Sequence, residues 1–113
     1  ITVAECMALA KNAAAFAMAP AQDWNDVVRL SDTLAPAIGL EKHDIDNARR
    51  IMGSLGSALA ILGLVEAFEK IRRPRAYLHA LSKRASEEGF DFVRMFRSLT
   101  KCRATSSSVG YAA

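Results

Sequence analysis

Residues 54–73 read SLGSALAILGLVEAFEKIRR, and the fold follows from how this stretch is read. From Ala58 to Val65 the chain is apolar apart from one glycine, Gly63. A helix with a wet face does not carry such a run, so the stretch reads as a helix buried on most sides. At 3.6 residues per turn, Ile61, Leu64, Val65, Phe68 and Ile71 form one apolar face, and Leu55, Leu59 and Leu62 a second. Gly56, Ala60, Gly63 and Ala67 make a strip of small residues between them, against which a neighbouring helix can pack closely. The helix carrying Trp24 is the expected neighbour. Glu66, Glu69 and Lys70 fall together and mark the exit to solvent. Twenty helical residues span roughly 30 Å, the width of a small domain. The apolar run is too short for a membrane span, which needs about 20 such residues.

Outward from this helix the chain reads as further helices. Thr2 to Phe16 is Ala-rich, and Thr2 with Glu5 has the spacing of a capping box. Pro20 ends that helix. Asp23 suits the N-cap of the next, with Asp26 in its first turn and Trp24, Val27, Val28, Leu30, Leu34 and Ile38 on its inner side. Pro36 predicts a kink or stop near Ala35, and Gly39 a C-terminal signal. Asp44 to Met52 reads as a short helix with Ile45, Ala48, Ile51 and Met52 inward, broken from the central helix by Gly53 and Ser54. Pro74 suits the first position of a helix that buries Tyr77, Leu78 and Leu81 and is closed by Gly89. Asp91 caps a last helix through about Lys101, with Phe92, Val93, Phe96 and Leu99 inward. The reading is an all-α, compact single-domain bundle of about six helices over residues 1–103. Residues 104–113, ATSSSVGYAA, have no periodic apolar face and are expected as a flexible tail.

At 113 residues the chain can bury a real core. It begins with Ile1 rather than Met, which reads as a piece of something longer. Cys6 and Cys102 have no metal-type spacing and read as free thiols of a cytoplasmic protein, with a disulfide between them as the alternative. Charge divides the chain unevenly. Residues 1–69 carry 5 basic and 9 acidic side chains, a net −4, whereas residues 70–103 carry 10 basic and 3 acidic, a net +7. A basic last third points to a polyanion or an acidic protein surface as partner, against the plainer reading of a solvated Lys/Arg face.

No catalytic set, metal site or cofactor motif stands out. His43 and His79 lie in different elements without an acid or thiol at a telling offset. Asp44 and Asp46 flank a helix start, where carboxylates act as caps. Residues 53–56, GSLG, lack the lysine and the preceding strand of a phosphate loop. Trp24 reads as a core anchor. The strongest local signal is IRRPRAYLHALSKRA, residues 71–85. Arg72, Arg73 and Arg75 surround Pro74 where free N–H groups open a helix, the chemistry of an anion-binding edge. Lys83 and Arg84 lie further along that helix, and Arg94 and Arg97 on the next. The alternative pairs these arginines with Glu66, Glu69, Glu87 and Glu88.

Four pieces carry a family resemblance. They are Asp23-Trp24 with Asp26-Val27-Val28, the Pro36 to Leu40 turn, Ala48 to Gly53, and Ile71, Pro74, Tyr77, Leu78 and Leu81 in the run IRRPRAYLHALSKRASEEGFDFVRMFRSL. Over about residues 23–99 the chain resembles the C-terminal domain of RepC-type replication initiators, from low-copy repABC plasmids of alphaproteobacteria. Where that family often has a Pro-Gly step before the tyrosine, this chain has Arg75 and Ala76. The resemblance implies a parent protein that binds the plasmid origin and starts replication, mainly through an N-terminal DNA-binding domain outside this sequence. It also implies a domain needed for initiation that contacts host replication proteins, another copy of itself, or origin DNA. The spacing of Ile71, Pro74, Tyr77 and Leu78 is also similar to DnaD-like primosomal domains.

These readings leave three function classes. The first is a non-enzymatic module of a plasmid replication initiator. The second is an accessory nucleic-acid-binding module that uses the basic last third. The third, an enzyme fragment, has no acid/base or nucleophile pair behind it. A contiguous basic surface favours DNA, and an exposed apolar patch favours a protein partner.

Overall fold

The computed structural model describes residues 2–17, 19–87 and 89–105, with side chains through Lys101. Six α-helices follow one another: α1 (Val3–Leu9), α2 (Lys11–Phe16), α3 (Trp24–Leu34), α4 (Lys42–Glu66), α5 (Pro74–Ala85) and α6 (Phe92–Thr105). Short 3-10 turns at Ala35–Ile38 and Phe68–Lys70 follow α3 and α4. No strand occurs among the described residues. The radius of gyration, 13.1 Å, is that of a single folded domain of this length.

The number of helices agrees with the sequence reading, but the divisions fall elsewhere. The first expected helix is two, because Ala10 leaves helical geometry (φ −87°, ψ 61°) between α1 and α2. The third and fourth are one kinked element, α4. Gly53 sits inside it at φ 79°, ψ 170°, where a side chain would be strained, so the expected break is present as a sharp bend. The central helix ends at Glu66, not Arg73. The expected tail lies, from Ser106 onward, outside the described residues.

Local signals act as read. The Thr2 hydroxyl accepts from the Glu5 N–H at 3.1 Å, and the Glu5 carboxylate accepts from the Thr2 N–H at 3.1 Å. Asp23 accepts from the Asp26 N–H at 2.9 Å, and Asp91 from the Arg94 N–H at 3.0 Å. Pro36 stops α3, and Gly39 closes the turn at φ 86°. Pro74 opens α5.

From Gly56 to Leu64, α4 is buried between two apolar clusters. Ala60, Ile61, Leu64 and Ala67 pack with Ile38, Leu40, Leu78, Leu81 and Leu99. Ala58, Leu59 and Leu62 pack with Cys6, Ala10, Val27, Leu34 and Phe96 from the other side. By length and composition α4 could cross a membrane, but 61% of its most apolar window is buried inside this fold, which makes it a core helix.

Four apolar side chains expected on inner faces are exposed. Phe68 and Leu55 are each 46% exposed, and Ile51 and Tyr77 each 39%. Phe68 leaves the apolar face because the helix has already ended at Glu66 and given way to the 3-10 turn. Ile51 and Leu55 flank the bend at Gly53, which turns both outward.

Glu66, expected at the solvent exit, is 3% exposed. Its carboxylate accepts from the Asn12 N–H at 3.1 Å and the Ala13 N–H at 3.0 Å. These donors belong to the first turn of α2, whose N-cap, Ala10, has no side-chain acceptor. A residue 53 positions away thus caps α2. The small-residue strip also has an unexpected neighbour. A Cβ on Gly56 would lie 2.8 Å from the Phe92 ring, and one on Gly63 would lie 2.6 Å from Leu99 Cδ1. The helix that needs the glycines is therefore α6, not the Trp24 helix.

Candidate functional site

The basic residues of the last third are dispersed to several places by the fold. Pro74 starts α5 beside the first turn of α4, and this docking gives Arg75 two acidic neighbours. Its Nε donates to Asp44 Oδ2 at 2.8 Å, and its Nη1 lies 3.1 Å from Glu41 Oε1. Its Nη2 is 3.1 Å from His43 Nε2. Burial by itself would push the Asp44 carboxyl up, but the Glu41 N–H and the Arg75 guanidinium outweigh it and hold Asp44 below the usual carboxylate range. Arg75 therefore ties α5 to α4, with partners other than the glutamates expected from sequence. Arg72 and Arg73 are exposed on the linker, and their side chains have no ion pair or hydrogen bond among the described residues. Arg73 lines a shallow cleft with Ile38, Gly39, Asp44, Ala76 and His79.

Arg84 and Arg94 are brought together. Both line a groove of about 520 Å³ between α5, the turn after it and the start of α6. Leu81 and Leu99, buried in the core, form its floor, and Tyr77, Met95 and Ser98 complete its sides. Arg84 lies over the Phe90 ring, 5.9 Å from the centroid, and Phe90 meets Phe92 edge-on at 5.0 Å. The turn is thereby anchored, and one cation is held at the groove wall. Glu87 and Asp91 also line the groove, Asp91 being engaged as the N-cap of α6. Lys83 is exposed on α5 outside this groove. Arg97 is directed to α1, where its Nη2 lies 3.8 Å from Glu5 Oε2.

Sequence reasoning singled out Arg84 and Arg94 but not their aromatic companions. Tyr77 and Arg84 are seven residues apart, two helical turns, so they share a side of α5. That spacing was the available signal. Phe90 carried none, because its position depends on how the turn after α5 folds back.

A second recess is apolar. Phe16, 68% exposed, and Phe68, 46% exposed, line a cleft of about 560 Å³ with Leu34, Ala37, Ile38 and Val65. No group of three or more His, Cys, Asp or Glu placed to hold a metal occurs among the described residues. Cys6 is fully buried, which pushes its thiol up to about 11 and leaves it protonated and inert at neutral pH.

Comparison with curated proteins and with solved structures finds no match. The family model described as replication protein C, C-terminal region, matches residues 2–102. That span covers all six helices up to the last turn of α6 and includes both recesses, and the chain belongs to this family.

Proposed function

We propose that this domain is a non-enzymatic module of a plasmid replication initiator and acts in initiation by contacting DNA through the α5–α6 groove. The observation that carries the reading is the convergence of Arg84 and Arg94 on one groove, in a segment whose net charge is +7. Guanidinium groups on opposite walls suit phosphates, which position a protein on nucleic acid without reading its sequence. Arg72 and Arg73, exposed on the linker before α5, and Lys83, exposed on α5, lie outside the groove. Arg75 stands apart as a residue that holds α5 in place.

The test is binding of labelled oligonucleotides to the 113-residue chain across a salt series. The expected result is a steep loss of affinity with rising salt. An Arg84→Ala/Arg94→Ala variant should stay folded and show a slope shallower by up to about 0.7–0.9 per lost phosphate contact. A folded double variant that binds as before, or a chain whose binding is indifferent to salt, overturns the reading. In cells the double variant of the full initiator should lose plasmid replication.

The apolar cleft favours a second reading, contact with a host replication protein or a second copy of the chain. Two large exposed rings on one concave surface are the usual mark of a protein-binding site. A Phe16→Ser/Phe68→Ser variant that keeps DNA binding but loses replication would assign initiation to that cleft.

A further inference from the structure

We infer that the apolar cleft is a self-association surface, on which a second copy of this chain seats its own Phe16 and Phe68 across a two-fold axis. The inference deepens the second reading of that cleft and rests on it. Three observations carry it. The surface holds both halves of a contact: a recess of about 560 Å³ and, at its edge, two rings that are 68% and 46% exposed. Cavities of about 300–1,000 Å³ hold drug-sized molecules, so the recess has room for a partner's two rings. A two-fold interface uses the same patch on both subunits, so that patch must carry knob and hole together. Next, the wall of the cleft carries unpaired charges of both signs. Glu69 lines the cleft, and Arg72 and Arg73 follow it on the linker. All three are exposed, and none has an ion pair or hydrogen bond among the described residues. Finally, Ile38 lines both the cleft and the shallow recess that Arg73 borders, so acid and base stand on adjoining surface. Two copies of residues 69–73 running antiparallel about the axis place Glu69 of each chain against Arg72 and Arg73 of the other. A partner of one charge sign would leave Glu69 or the arginines opposed by their like, whereas a second copy satisfies both. No residue lines both this cleft and the α5–α6 groove, so self-association leaves Arg84 and Arg94 to the proposed DNA contact.

The experiment is sedimentation velocity of the 113-residue chain over a concentration series reaching about 100 µM, enough to populate a contact of micromolar Kd. The unmodified chain should pass from monomer to dimer across the series. Phe16→Ser/Phe68→Ser should weaken the association at least about tenfold. Glu69→Arg alone, and Arg72→Glu/Arg73→Glu alone, should do the same, because each sets like charges opposite one another. An equimolar mixture of those two charge variants should recover dimers, a rescue that damage to the fold would not permit. Circular dichroism melts verify that every variant is folded. A chain that stays monomeric throughout, a dimer that survives these changes, or charge variants that stay monomeric when mixed overturns the inference. If it falls and the full initiator carrying Phe16→Ser/Phe68→Ser still loses replication, the cleft takes a host protein and the second reading survives. If that initiator replicates normally, both fall together.

Discussion

α5 and α6 both dock on α4, but different physics holds them. α6 meets α4 where α4 has no side chain: Phe92 lies over Gly56 and Leu99 over Gly63, each pair separated by seven residues from the other. The contact is close and apolar, with Phe96 fully buried between its ends. α5 also contributes two leucines to the core, Leu78 and Leu81, yet its first turn is fixed by charge through Arg75, Asp44 and Glu41. Apolar packing has no charge to screen or titrate, whereas an ion pair open to water weakens with salt and with acid. The two walls of the basic groove thus rest on unequal supports. The α6 wall is set by shape, and the α5 wall by shape together with a charge cluster at its far end.

Four substitutions sharpen this comparison, from the largest effect to the smallest. Leu62 is fully buried in the cluster that also holds Phe96, so Leu62→Ala should cost ~2–5 kcal/mol in chemical denaturation and loosen the seat of α6. A loss under ~1 kcal/mol would mean that α6 does not depend on this packing. Glu66→Ala removes the acceptor for two N–H groups at the start of α2, and about 1.5–3 kcal/mol of stability should go with it. Hydrogen exchange would show faster amide exchange at Asn12 and Ala13 ahead of the rest of the chain. Unchanged protection there would remove Glu66 from its role as cap.

Gly63→Ala places a methyl 2.6 Å from Leu99 Cδ1 and should cost ~1–3 kcal/mol, shifting α6 outward. A thermal melt matching that of the unmodified chain would show that α6 yields without cost. Arg75→Ala should change stability by only ~0.2–1 kcal/mol, because its ion pairs are half exposed. Its distinguishing mark is pH. The folded-state pKa of Asp44 is depressed, so its contribution is present at neutral pH and is lost as pH falls below about 4. Arg75→Ala should shrink that acid-labile part, which urea titrations at pH 7 and pH 3 would detect. An equal difference between the two pH values in both proteins would place the acid sensitivity elsewhere.

Much of the fold was legible because its signals are local. The apolar run of residues 58–65, the cap at Asp23, the stop at Pro36, the bend at Gly53 and the start at Pro74 each depend on a few adjacent residues and on backbone geometry. The resemblance to replication protein C rested on the same local pieces, and the match over residues 2–102 bears it out. The candidate site was legible only in its residue types. A charge change at Lys70 is visible in the letters, but which arginines converge is not. Arg75 adjoins Arg72 and Arg73 in the sequence, yet the docking of α5 on α4 couples it to acids 31 and 34 positions earlier.

By itself, then, the sequence determined that the chain is helical, where most helices begin, and that the helix of residues 54–66 lies at the centre. Caps, proline geometry and apolar periodicity act within a turn or two, so they are complete in the letters. Only the tertiary structure decided that Glu66 is buried as a distant cap, that the glycine strip receives α6, and that Tyr77, Arg84, Phe90 and Arg94 share one groove. Each of these depends on how helices far apart in sequence pack together. That packing is settled by the combined shape of their apolar faces and not by any one segment's preference.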